Sequence, residues 1–365
     1  LSRSRVGGLV AAFAGDEYVV EVLDLIVNTP PPYNIYGISR SLGRSYTTVA
    51  RCFRKLTRYE NEFLLRYDHA PLGLSKVLVF CERQCYEKLK TPVRWWLRSL
   101  IDTVEGEIMV FWYPTPVGPD FIVKGIKEAC SECGVRHTML IKRTLYGCYS
   151  VREVVTPSSS DDELLKNAIT YAEENPAPPN EVSGMSRDKP RDIFDLFLTY
   201  ILEKHPLMSY RKLLESLLRK GFKRVRKRVN KHVKHLRDDG VIKGVSPPPP
   251  SPSRIPMSML FMYFPNRASL RKCLSHILRF AFCSVTGVSD YEMVAVVRAE
   301  LNMMPRIRTW LLSLGAEKIK SVTYDTDSVR LFYSVPFRAF DPLNREWCLM
   351  RDIRLNTLLR EGGFY

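Results

Sequence analysis

The 365-residue chain holds one glutamine, Gln84, and six histidines, and no apolar run approaches the ~18 to 20 residues of a membrane-spanning helix. Its N-terminal apolar stretch, Val6 to Phe13, is short and meets Asp16 and Glu17 at once, so no secretory leader is expected and the sequence reads as cytoplasmic. No glycine-rich phosphate loop, catalytic triad or paired-acid motif is visible, and no cofactor is expected. Nine cysteines lack the spacing of a disulfide framework. Cys130 and Cys133 form a CxxC, but a closed zinc site needs four ligands and no second pair matches them, so no metal is expected; Cys81 and Cys85 are weaker candidates still. Acidic residues are scarce relative to basic ones, 39 Asp and Glu against 55 Lys and Arg, for a net charge of +16. That excess points to a polyanionic partner. Scarce amides with many charged residues suit an archaeal, hyperthermophilic source.

The charge is gathered, not spread. Residues 36–66 carry a net +5 and residues 219–243 a net +9, together 14 of the 16 charges. Both segments show helical periodicity. In the first, Val49, Phe53 and Leu56 form an apolar stripe, and the opposite face reads Arg44, Thr47, Arg51, Arg54, Arg58. In the second, Val229, Val233 and Leu236 lie opposite Arg224, Lys227, Lys231 and Lys234, with Lys223 just before them. Seven of these positions match at an offset of 180, which reads as an internal duplication.

Two shorter apolar-periodic segments precede each basic helix: Tyr18 to Val27 and Ile35 to Leu42, then Ile193 to Leu202 and Tyr210 to Leu218. Gly43 and Gly221 supply turns into the third helix, Ser45 is a candidate N-cap, and short strands follow at Glu62 to Tyr67 and Val241 to Val245. The expectation is two winged helix-turn-helix domains, at 15–70 and 192–246. After each comes a β-α-β-β-α-β pattern. The first runs strand Lys76 to Cys81, helix Glu87 to Ile101, strand Glu107 to Trp112, helix Asp120 to Cys130, strand Val135 to Lys142. The second runs strand Met257 to Phe264, helix Ser269 to Phe280, hairpin Cys283 to Val297, helix Pro305 to Ser313, strand Lys318 to Tyr324. The class is therefore α+β, with ferredoxin-like domains at 74–151 and 257–336. A linker is read at 152–191, with a helical piece near Leu164 to Glu173, and a proline-rich spacer at 247–256. A tail at 337–365 carries Trp347, Met350, Ile353 and Leu358 at helical spacing.

These features resemble the leucine-responsive regulator/AsnC family of transcription regulators. Ser45 to Val49 through Phe53 and Leu56 is similar to the family's recognition helix. Arg237 to Ile242 resembles its helix-to-wing junction, Asp68 to Gly73 its entry into the sheet domain, and Val285 to Tyr291 the turn between its second and third strands. Cys52 and His232 stand where the family usually carries arginine, and Val104 to Glu107 replaces the turn motif in the first half. The resemblance implies DNA binding, pairing of the sheet domains within the chain or between chains, and an amino-acid-like effector, with Thr286, Gly287 and Asp290 as candidate contacts.

Duplex DNA presents closely spaced phosphates and a major groove that admits one helix, which a face of four cations at three- and four-residue spacing fits. Thr47 with Arg51 is the pair suited to base edges, and the all-cation second face suits phosphates. The reading is a non-enzymatic regulator that binds double-stranded DNA and does not engage a membrane. An RNA- or ribosome-associated protein is the alternative, because structured RNA offers the same phosphates. His69 beside Asp68 raises a third reading, an enzyme like the siroheme decarboxylases, which share this architecture and use basic residues near this junction.

Overall fold

The computed structural model describes residues 13–348, apart from 14, 83–84, 130–133, 156–159, 180, 182–191, 220–224, 251–254, 333, 342–343 and 345. In chain order the first helices are α1 (Glu17–Val27), α2 (Ile35–Leu42) and α3 (Tyr46–Thr57), followed by β1 (Leu64–Tyr67) and β2 (Leu74–Cys81). Two single-turn helices, α4 (Cys85–Lys88) and α5 (Thr91–Arg94), lead to β3 (Leu97–Thr103), β4 (Gly106–Pro114), α6 (Asp120–Ala129), β5 (Val135–Ile141) and β6 (Arg143–Tyr146). Then come α7 (Val151–Val154), α8 (Asp161–Glu174), α9 (Ile193–Lys204), α10 (Tyr210–Arg219), α11 (Val225–Asp238) and β7 (Ile242–Ser246). The remainder is β8 (Met257–Tyr263), α12 (Arg267–Ile277), β9 (Cys283–Val288), β10 (Glu292–Arg298), α13 (Met304–Ser313), β11 (Lys318–Tyr324), β12 (Val329–Phe332), β13 (Phe340–Asp341) and β14 (Glu346–Trp347). Helices and antiparallel sheets together make the class α+β.

The helix ends follow local chemistry. Asp16, Asn34 and Ser45 cap α1, α2 and α3 by accepting from the backbone N–H of Val19, Gly37 and Thr48, groups that the first turn of a helix leaves without internal partners. Gly43, at φ +61, ends α2 in the left-handed conformation open to glycine. Val49, Cys52, Phe53 and Leu56 bury one face of α3, and Val229, Val233 and Leu236 bury one face of α11.

The chain divides into two compact units. One comprises 1–66, 144–185 and 243–326; the other comprises 67–143, 186–242 and 327–365. Each unit therefore joins one three-helix segment to the sheet of the opposite half of the chain. The sheets are shared in the same sense. In the first unit the strand order is β11-β8-β10-β9-β6, and in the second it is β12-β3-β4-β2-β5. The strand at 329–332, expected within 257–336, extends the sheet of 74–141, and the strand at 143–146 extends the sheet of 257–324. Without these additions β3 and β9 would each present a row of unpaired backbone groups, and an added strand satisfies them.

A second difference lies at 87–101. One helix was expected there, but the structure has two single turns and then β3. Pro92 opens the second turn; in mid-helix it would remove a backbone donor and clash with the preceding turn. From Leu97 the chain pairs with β4 through a hairpin at Val104–Gly106, with a register shift between Leu97 and Ser99.

Among the described residues of the expected linker and spacer, several are packed. Ser160 and Glu163 form a capping box at the start of α8, whose Leu164, Leu165, Ala168 and Ala172 are buried. The indole of Trp310 donates to Glu173, and Tyr149 donates to the carbonyl of Pro248, with Pro247–Pro250 buried. Trp347 lies in the short strand β14, and Met350, Ile353 and Leu358, read as helical, lie outside the described residues.

Candidate functional site

The second unit buries an ionic cluster on one face of its sheet. All of β2 is buried, so residues on both of its faces are inside. Lys76 on β2 is 5% exposed and lies directly across the ladder from Trp112 on β4, which puts both side chains on one face. The ammonium of Lys76 lies 4.4 Å from the centre of the Trp112 ring. Arg98, at the register shift of β3, reaches the same ring at 5.7 Å and lies 3.9 Å from the ring of Phe332 on β12. Its guanidinium is paired with Glu203 of α9, which also accepts from the hydroxyls of Tyr67 and Ser334 and the backbone N–H of Val335.

His69 closes the other side. It precedes a single 3-10 turn, Ala70–Leu72, that ends at Gly73 with φ +70 and feeds β2. Asp68 holds the start of this turn by accepting from Ala70 N–H at 3.1 Å, and Arg143 lies 3.9 Å from its other oxygen. The imidazole of His69 is fully buried, edge-on to Trp112 at 5.4 Å, and neither ring nitrogen has a hydrogen-bond partner among the described residues. Burial, with Lys76, Arg143 and Arg98 nearby, pushes its pKa well below the usual value, so the ring stays neutral. Burial and the charge of Arg98 lower Lys76 to about 7, against the raising influence of Glu203 and Asp68. A buried neutral imidazole whose nitrogens have no hydrogen-bond partner among the described residues can donate an N–H to an acceptor brought into the cluster.

The cluster includes His69, which sequence reasoning noticed, and Lys76, Arg98, Trp112, Arg143 and Glu203, which it did not. The available signal was a charged residue inside each of two strongly apolar stretches, Leu74–Cys81 and Leu97–Ile101.

On α3, Thr47, Arg51, Arg54 and Arg58 are exposed, as are Lys227, Lys231 and Lys234 on α11. Arg44 is held by a two-pronged ion pair with Glu21 and stacks on Tyr18 at 4.9 Å. Ser45 caps α3 and bonds the hydroxyls of Thr47 and Thr48. Lys223 and Arg224 lie outside the described residues, as do Cys130 and Cys133. Cys85 is disulfide-bonded and Cys81 is not in a disulfide. Of the effector candidates, Thr286 is fully buried against the thiol of Cys283 and Gly287 is buried beside it in β9, whereas Asp290 is at the surface in an ion pair with Arg267.

No family model matches this sequence, and no curated protein does. Solved structures do. The chain is similar to the crystal structure of the siroheme decarboxylase NirDL, at 14% identity and a TM-score of 0.43, over 87% of this chain and 93% of that one. The same enzyme in co-complex with an iron-uroporphyrin III analogue matches at 13% identity and a TM-score of 0.45, over 87% and 94%. PH0061 matches 35% of this chain and 92% of its own, at 13% identity and a TM-score of 0.26. These likenesses bear on fold alone. The expectation of a non-enzymatic chain is not kept, since the solved structures matched over 87% of this chain are those of an enzyme, but the likeness assigns no reaction to it.

Proposed function

We propose that the second unit binds a small molecule bearing several carboxylates at the His69 cluster and decarboxylates it, as a siroheme decarboxylase does. The observation that carries this reading is the fully buried His69 imidazole, without hydrogen-bond partners among the described residues, beside Lys76, Arg98 and Arg143. Decarboxylation breaks a carbon–carbon bond, leaves the electron pair on the remaining carbon and needs a proton there. Lys76, with a pKa of about 7, has the acid and base forms both populated near neutrality, the condition for efficient proton transfer. In this reading Arg143, beside Asp68 at 3.9 Å, and Arg98, which keeps Glu203 as its partner, offer guanidinium N–H groups to carboxylates. The dry surroundings strengthen each of these interactions.

The test is anaerobic titration of the purified chain with siroheme and with iron-uroporphyrin III, followed by absorbance and by the mass of the products. Saturable binding with loss of carbon dioxide is expected. Lys76→Met should still bind while losing turnover by about 100-fold or more, the range for a general acid. Absence of binding by every tetrapyrrole carboxylate overturns the reading.

A second reading, duplex DNA binding by winged helix-turn-helix segments attached to ferredoxin-like sheets, is favoured by the exposed rows Thr47, Arg51, Arg54, Arg58 and Lys227, Lys231, Lys234. It is compatible with the first, because those rows lie on other elements than the buried cluster. Affinity for random duplex against structured RNA across a salt series tests it, and RNA preference would count against it.

A further inference from the structure

We infer that the second three-helix segment contains a binding site for a divalent transition-metal ion of the Zn2+ class, formed by Asp192 and Asp195 with His232 and His235. The two carboxylates come from the N-cap and first turn of α9, and the two imidazoles are three residues apart on α11, which places each pair on one face of its helix. His232 Nδ1 lies 2.9 Å from Asp195 Oδ1 and 3.5 Å from Asp192 Oδ2, and His235 Nδ1 lies 3.6 Å from Asp195 Oδ2. One donor atom each from Asp192, Asp195 and His232 falls within a span of 4.8 Å. Metal–ligand bonds of about 2.0–2.1 Å in a tetrahedron set its corners roughly 3.3 Å apart; the two His232 separations, 2.9 and 3.5 Å, lie on either side of that edge, and His235 stands beside this three-donor set as the fourth ligand.

Three further features point the same way. The Asp195 side chain is 2% exposed, so the ion's carboxylate is taken from the protein interior and not from a solvated surface cluster. The ring of His232 is set by an edge-on contact with Phe194 at 4.8 Å. The far nitrogen of His235, Nε2, lies 3.0 Å from Asp239 Oδ2, the arrangement in which a carboxylate fixes the tautomer of a metal-bound imidazole.

The first three-helix segment supplies an internal comparison. There Asp16 caps α1 as Asp192 caps α9, and its Oδ2 lies 2.6 Å from the ammonium of Lys55, which precedes His235 by 180 residues. Cys52 stands 180 residues before His232, and Val19 stands three residues past the cap, where α9 has Asp195. One carboxylate and its resident ammonium thus correspond to two carboxylates and two imidazoles. All three replacements are toward oxygen and nitrogen donors that suit zinc. A bound ion would clamp the start of α9 to α11, the helix that displays Lys227, Lys231 and Lys234.

The experiment uses the full chain, stripped with a chelator and titrated with Co2+ alone and then Zn2+ alone. Cobalt should give visible bands of a tetrahedral nitrogen and oxygen site without the ultraviolet band of cobalt–thiolate, and zinc should displace it. His235→Ala, at an exposed position that leaves the fold intact, should weaken binding by at least about tenfold, since loss of a mere orienting group costs 10–100-fold; His232→Ala should abolish the visible bands. Zinc should also raise the melting temperature of the parent chain and not that of the His232 variant. Absence of the bands, a thiolate band, or affinity unchanged in the His235 variant overturns the assignment.

Discussion

Replacing Glu203 by leucine should destabilise the second unit by about 3–5 kcal/mol, the cost of leaving one member of a buried ion pair without the other. The Arg98 and Glu203 side chains are 8% and 6% exposed, so water cannot take over as partner to the stranded guanidinium. Glu203 also accepts from Tyr67 and Ser334, whose hydroxyls would each lose a bond of about 1 kcal/mol. At roughly 2–4 °C per kcal/mol for a unit of this size, the melting temperature should fall by about 6–20 °C. The double variant Arg98→Met, Glu203→Leu removes both charges and keeps apolar volume, and should return to within about 1–2 kcal/mol of the parent. Chemical denaturation of the four proteins closes the thermodynamic cycle. If the single Glu203 variant loses under about 1 kcal/mol, or the double variant is no better than the single, the charges are solvated and the buried cluster is misread.

Three further outcomes are expected. Because His69 is held neutral in the fold and titrates near its usual value when unfolded, the unfolded chain takes up a proton below about pH 6.5 that the fold refuses; stability should fall there with acid, and His69→Phe should flatten that limb of a denaturation-against-pH curve. Lys76, at about 7 in the fold against 10.5 when free, works through the same sign over a different window: stability should rise between pH 7 and 10.5 by at most about 1.4 kcal/mol per unit, a slope that Lys76→Met removes. Gly106→Ala places a Cβ 2.1 Å from the carbonyl oxygen of Cys81 at φ +147, and should cost at least about 2 kcal/mol or disrupt the β3–β4 hairpin, read by hydrogen exchange of that pair.

If α3 and α11 face duplex DNA, changing Lys227, Lys231 and Lys234 together to alanine should weaken binding to all sequences alike and reduce the salt slope by roughly three, while Arg51→Ala should relax sequence choice. An unchanged salt slope in the triple variant would leave those lysines as solvated surface.

Helices and their buried faces were legible in the sequence because their determinants are local. Val49, Phe53 and Leu56 recur at helical spacing and are buried on α3; Val229, Val233 and Leu236 do the same on α11. Ser45 is the cap that its position implied. Local reasoning failed at 87–101, where apolar residues suit helix and strand alike and pairing with β4 decides for a strand. It placed a helical piece near Leu164 to Glu173 but could not show the burial of Leu164, Leu165, Ala168 and Ala172, which depends on neighbours far away in the chain.

The sequence by itself determined the class, the longer helices and most strands of the two sheets, and the two rows of cations at a fixed offset, because periodicity and charge are properties of neighbouring residues. Tertiary structure alone decided which halves belong together and where the chemistry lies. Strands at 143–146 and 329–332 join sheets distant in sequence, since the edge that a strand completes is chosen by open backbone hydrogen bonds and not by chain order. His69, Lys76, Arg98, Trp112 and Glu203 come together only through strand register, a shift in β3 and the packing of α9. A side chain that reads as ordinary surface charge in the sequence is thereby buried, stripped of water, and shifted in its affinity for protons.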